Sequence, residues 1–168
     1  MTLSLYQSSI PVYIRQLNGL SSVIDKAIAY CAEKKIDPKA LLQDRIFADM
    51  FPLTVQVQIS CGYAERGGAR LTGIEPPKRD DKMESLEDLK KRIADAIAFV
   101  KTIDAKKMEG MESKDITFPV GPQQMTLNGA DYLLHFSMPN FYFHLTTAYA
   151  ILRHNGVPLG KADYMGTA

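Results

Sequence analysis

The chain has 168 residues, a length that predicts one domain spanning 1–168. Hydrophobic residues make up 46% of it and charged residues 23%, enough apolar material for a core without metal or disulfide staples. A net charge of +1 excludes the electrostatic footprint of a nucleic-acid or anionic-membrane binder, and no apolar run reaches membrane-spanning length.

The opening MTLSLYQSSIPVYIR has no basic stretch followed by an apolar block, so no signal peptide is expected and the location expected is cytoplasmic. A first helix is predicted over Ser8–Lys35. Ile10, Tyr13, Leu17, Leu20, Ile24, Ala27 and Cys31 alternate spacings of three and four and keep one stripe on one face. Pro11 is expected near its start, where a missing N–H costs little, and Gly19 allows a close helix contact. Ile36–Asp49 reads as a connection with a helical turn after Asp37-Pro38. Asp49 is expected to cap a second helix that has Pro52 in its first turn and Leu53, Val57, Cys61, Ala64, Gly68 and Leu71 as its stripe, ending at Gly73.

Ile74–Glu84 is a polar, proline-containing stretch, longer than a tight bundle loop needs, and predicts a crossover. Ser85 with Asp88 reads as a capping-box start for a third helix. Leu86, Leu89, Ile93, Ile97 and Val100 form its apolar face, and Glu87, Lys90, Lys91, Asp95 and Lys101 its solvated one. After a loop over Lys106–Ser113, Ile116–Val120 and Gln123–Leu127 predict a hairpin turning at Gly121-Pro122, which must lean on the helices. The last helix is expected over Asn128–Asn155, capped by Asn128, ended by Gly156 and kinked by Pro139 near Phe136–Met138. The tail VPLGKADYMGTA has no periodicity and is expected to lie across the surface. Four long helices with a long crossover and a late hairpin predict an all-α four-helix bundle.

Cys31 and Cys61 lack C-x-x-C or zinc-ligand spacing and read as two buried thiols. No nucleophile elbow and no phosphate-cradling glycine loop occurs.

The order of elements and the ending HLTTAYAILRHNGVPLGKADYMG resemble the DinB/YfiT-like superfamily of four-helix bundles. MFPLTVQVQIS and DYLLHFSMPNFYFH resemble more closely a bacterial family of unknown function within it. The resemblance covers nearly the whole chain and implies the fold. It also implies a putting-together known from that superfamily: metalloenzymes, often homodimers, some of them thiol transferases, with one histidine from the second helix and two from the fourth around a divalent ion. On that pattern His144 matches one fourth-helix position, and Asn140 occupies the other. Gln56 and Gln58 stand near the second-helix position, and amide oxygens are weak ligands for zinc or nickel. No cofactor is therefore expected; a zinc or nickel ion, if held, would be held by His144.

From the residues themselves, His144 and Asn140 share a helix face, so His144 reads either as a ligand or general base or as a buried neutral imidazole bonded to Asn140 or a facing glutamine. Gln56 is the glutamine placed inward. His135 is nine residues before His144, which on a straight helix at about 100° per residue is the opposite face, unless the Pro139 kink joins them. His154 reads as a helix-end residue. Phe141, Tyr142, Phe143 and Tyr149 read as core or pocket lining, and Tyr13 as a core tyrosine whose hydroxyl needs a partner. The candidate pocket is thus Tyr13, Gln56, His135, Asn140 and His144. Two functions follow: a small-molecule-binding or non-catalytic bundle, or a divalent-metal hydrolase or thiol transferase with a degenerate site. The sequence decides neither enzyme status nor a catalytic residue.

Overall fold

The computed structural model of the protein describes residues 3–79 and 82–166. Parts of the expected crossover (80–81) and of the tail (167–168) lie outside these residues. Four helices of sixteen residues or more carry the core: α1 (Leu5–Lys34), α3 (Leu53–Thr72), α4 (Leu86–Lys101) and α6 (Met138–His154). The short α2 (Pro38–Gln43) follows α1. In the bundle α3 packs along both α4 and α6, and α1 packs along α4.

Local chemistry sets the boundaries. α1 starts before Ser8 because Ser4 and Gln7 form a reciprocal capping box: Gln7 N–H donates to Ser4 Oγ at 3.2 Å and Ser4 N–H to Gln7 Oε1 at 3.3 Å. Pro11 consequently lies inside α1 and not in its first turn; it interrupts one backbone bond on an exposed side of the helix. Asp49 does not cap α3. Pro52 occupies the N-cap, and the Leu53 N–H is taken by the Asp44 carbonyl at 3.0 Å, so a backbone oxygen replaces the side chain. Gly73, at φ 68°, ends α3 in the left-handed conformation that favours glycine. Ser85 caps α4 as expected, accepting from Asp88 N–H at 3.0 Å, while the Asp88 carboxylate reaches one residue further back, to Glu84 N–H.

Strands β1 (Asp115–Val120) and β2 (Gln123–Asn128) form the antiparallel hairpin, with Ile116 opposite Leu127 and Phe118 opposite Met125. Its support is Phe118, buried against Tyr132 and Phe136 with ring centroids 4.9 and 4.7 Å away.

The last helix departs from one kinked rod. Asn128 caps a single turn, α5 (Gly129–Asp131), which widens into a π-helical stretch over Tyr132–Ser137 before α6 begins. Pro139 then falls in the first turn of α6, where its missing N–H is least costly, and the wider turn takes up the mismatch upstream. The tail is not featureless: α7 (Lys161–Met165) packs on α1. Gly19 permits this approach, since a Cβ there would sit 3.3 Å from the Asp163 carbonyl oxygen and the Gly166 backbone. Cys31 and Cys61 are both buried and are not joined in a disulfide. Among the described residues no helix is long and apolar enough to cross a membrane.

Candidate functional site

The α3–α6 seam carries the polar centre. Gln56, one turn into α3, is 1% exposed. Its Nε2 donates to the Phe51 carbonyl oxygen at 3.0 Å, which fixes the direction of the amide. Oε1 therefore faces α6 and accepts from His144 Nδ1 at 2.7 Å. With Nδ1 bearing the proton, a neutral His144 carries its lone pair on Nε2. Neutrality is favoured: half-burial first, and then the nearby Arg66 charge, hold the imidazole below its ordinary value of 6.5. Tyr63 lies nearly parallel to the ring at 6.0 Å and 13°, and Phe143 meets it edge-on at 5.1 Å.

Asn140, on the same face, does not bond to His144. Its Nδ2 turns back to the Phe136 carbonyl oxygen at 2.7 Å, within its own helix. Tyr13 is fully buried and shares a hydrogen bond of 2.9 Å with Ser137 Oγ at the end of the π stretch, so it anchors the core there and is not bonded to the His144–Gln56 pair. Burial lifts its phenol well above the ordinary tyrosine range. His135 is placed outward: its side chain is 74% exposed and lies 3.8 Å from Asp131 one turn back. The π stretch does not swing it to His144, so the two histidines share no site. His154 is exposed at the end of α6. Of the five residues expected to line a pocket, Gln56 and His144 are joined directly, Asn140 stands one turn before His144 on α6 but bonds to its own helix, and Tyr13 and His135 go elsewhere.

The donor set does not fit a zinc or nickel ion. One imidazole nitrogen is available, the Gln56 oxygen is engaged by Nδ1, and the charge that acts on the ring is the cation of Arg66. Among the described residues no group of three His, Cys, Asp or Glu side chains could close around a metal.

Sequence reasoning missed the charges of α3. The twenty residues of that helix hold only Glu65, Arg66 and Arg70 as charged groups, a concentration in its second half that could have flagged them. Glu65, 2% exposed, receives a two-pronged bond from Arg92, 4% exposed, at 3.0 and 2.6 Å, and a further one from Arg79 at 3.1 Å. Arg66 instead lies over the Tyr63 ring, 4.9 Å from its centroid, and Arg70 over Phe118 at 4.7 Å. Two cavities lie beside these helices, one on α3 and one on α6, and neither is lined by His144 or Gln56. Arg66 lines one of about 310 Å³ between α3, α4 and the crossover, together with the Glu65–Arg92–Arg79 group, Gly62 and Pro77. Tyr142, Phe143 and Thr147 line an apolar groove of about 430 Å³ with Ile46 and Met50.

Comparison with known proteins bears on the whole arrangement. The family described as "Domain of unknown function (DUF1993)" matches residues 5–165. A DinB family member protein from Shewanella denitrificans, known from a crystal structure at 1.83 Å resolution, is 38% identical over 98% of this chain and 93% of that one, with a TM-score of 0.91. No curated protein matches.

Proposed function

The chain belongs to the family described as a domain of unknown function (DUF1993) and has the fold of a DinB family member; from that premise we propose that it binds a small molecule at the α3–α6 seam, with His144 as the polar contact. The observation that carries this reading is the bond from His144 Nδ1 to a glutamine whose other end is tied to the backbone. That arrangement prepares one good acceptor, Nε2, against aromatic walls formed by Tyr63 and Phe143. Phe143, edge-on to His144, also lines the apolar groove of about 430 Å³, and an apolar cleft with few oriented polar groups suits ligand recognition. The reading is non-catalytic because the ring bonds to an amide and not to a carboxylate or a nucleophile.

A ligand-observed NMR fragment screen on the full chain tests it. Fragments that bind are expected to shift the His144 ring resonances, and His144→Ala is expected to weaken them about tenfold while leaving the helical circular dichroism intact. Fragments that bind with His144 unmoved would sink the reading. The divalent-metal enzyme remains the alternative, supported by fold analogy alone; stoichiometric metal lost on His144→Ala, together with turnover, would favour it.

Self-association is the second part of the proposal. Phe47, Phe51 and Phe143 are 67%, 55% and 56% exposed, and Ile46 and Met50 join Phe143 in lining the apolar groove. An apolar surface of this kind suits a symmetric dimer.

A further inference from the structure

Where α3 ends at Gly73, the Ile74 N–H closes onto the Ala69 carbonyl oxygen at 3.0 Å. Half-buried Ile74 pins the chain against the core, and Pro76 restricts the backbone beyond it. Glu75, exposed, is carried between these two fixed points. Arg70 belongs to the last turn of α3. Its guanidinium lies over the Phe118 ring, 4.7 Å from the centroid, and donates to the Tyr132 hydroxyl at 3.5 Å. Tyr132 is itself buried and donates to the Arg66 carbonyl oxygen at 3.3 Å, so the arginine rests on a fixed base. Arg70 and Glu75 line one cavity of about 380 Å³, bounded by the end of α3, the start of the crossover and β1. Pro76, Ile116, Phe118 and Pro119 give it apolar walls. Among the described residues neither charge has an ion-pair partner, and the two do not pair with each other. Elsewhere on α3 the opposite holds, since Glu65 takes up both Arg92 and Arg79.

We propose that this cavity binds a small zwitterion of the amino-acid or dipeptide type, with its carboxylate on Arg70, its ammonium on Glu75 and its apolar part against Ile116 and Pro119. Opposite charges kept apart in one cavity complement a ligand that carries both. The planar donors of guanidinium match a carboxylate in a two-pronged bond, and a side chain already seated on Phe118 and Tyr132 loses little freedom on binding. The volume falls within the range of small-molecule sites, roughly 300–1,000 Å³. His144, Gln56 and Tyr63 do not line this cavity, so the inference stands apart from the reading of the seam.

Isothermal titration of the full chain tests the class, with phenylalanine and glycyl-phenylalanine as zwitterions and with phenylpropionate and phenylethylamine as probes that keep one charge each. One zwitterion is expected to bind about tenfold more tightly than either single-charge probe, and the tighter of the two zwitterions reports the spacing of the charges. Glu75→Gln is expected to bring phenylalanine down to the level of phenylpropionate, and Arg70→Gln to bring it down to that of phenylethylamine. Circular dichroism checks folding, and Glu75→Gln, at an exposed position, decides the matter if Arg70→Gln unfolds. In NMR the amides of Gly73 and Thr117 are expected to shift with phenylalanine while the His144 ring stays unmoved. Single-charge probes that bind as well as the zwitterions, or a preference unchanged in Glu75→Gln, would overturn the proposal. So would absence of binding by both zwitterions up to millimolar concentration. A shift of the His144 ring without the Gly73 and Thr117 amides would overturn this site and move the ligand to the seam.

Discussion

At the scale of single residues, the orientation of one amide decides the chemistry of the seam. Gln56 is held by the Phe51 carbonyl and can offer only its oxygen to His144, so the imidazole keeps its proton on Nδ1. The depressed His144 pKa has a signed consequence. The unfolded chain takes up a proton near 6.5, and the folded chain resists it because of burial and Arg66. Stability is therefore full above the unfolded value and falls as pH drops from there through the folded one. His144→Gln is expected to flatten that part of the profile in urea melts at a series of pH values, and Arg66→Gln to raise the His144 titration midpoint seen by NMR. An unchanged midpoint in Arg66→Gln would remove the electrostatic part of the explanation. Glu65 carries a different weight. Glu65→Ala would leave the Arg92 guanidinium without its buried two-pronged partner, and a loss of about 3–5 kcal/mol is expected in chemical denaturation. His144 and Gln56 were legible in the sequence as an inward pair because each sits beside its helix stripe. The Glu65–Arg92 pair was not, because periodicity sorts apolar from polar and gives no signal when two buried charges satisfy each other across helices.

At the scale of elements, caps and stripes were readable where a side chain makes the boundary, as at Ser85 and Asn128. They were misread where backbone does, as at Asp44 and Leu53, or where a reciprocal cap lies upstream of the apolar run, as at Ser4 and Gln7. The π stretch was invisible as such. It is set by two fixed ends, a cap at Asn128 and a proline that needs the first turn of α6, and the residues between them absorb the difference. Its seam is tight. A Cβ at Gly67 would lie 2.5 Å from the Tyr13 hydroxyl and 2.8 Å from Ser137 Oγ, both buried. Gly67→Ala is expected to cost about 1–3 kcal/mol by overpacking, and a urea midpoint equal to that of the parent chain would show the seam to be looser than described. The approach of α7 to α1 is less tight, 3.3 Å from a Cβ at Gly19, but there the neighbour is backbone, which cannot swing aside. Gly19→Leu is expected to free residues after Gly160 for limited proteolysis while the four long helices stay protected.

At the scale of the whole molecule, the bundle was legible because four amphipathic segments of suitable length leave few alternatives, and the match over residues 5–165 places the chain in its family. The exposed apolar residues around Phe47 were not legible, since nothing in Ile36–Asp49 separates a buried connection from one whose apolar side chains stay outside. Phe47→Glu is expected to convert a dimer to monomer in light scattering at fixed concentration; a parent chain that is already monomeric removes the dimer from the proposal.

The central claim is that His144 is a neutral, glutamine-held imidazole that contacts a ligand through Nε2 and does not anchor a metal. Nitrogen-15 NMR of the histidine rings, recorded while zinc is titrated into the full chain, addresses it directly. The expected spectrum has the His144 proton on Nδ1 and a free Nε2 that stays unshifted at one equivalent of zinc. A stoichiometric shift of His144 Nε2 by zinc, absent from the exposed His135 and His154, would contradict it.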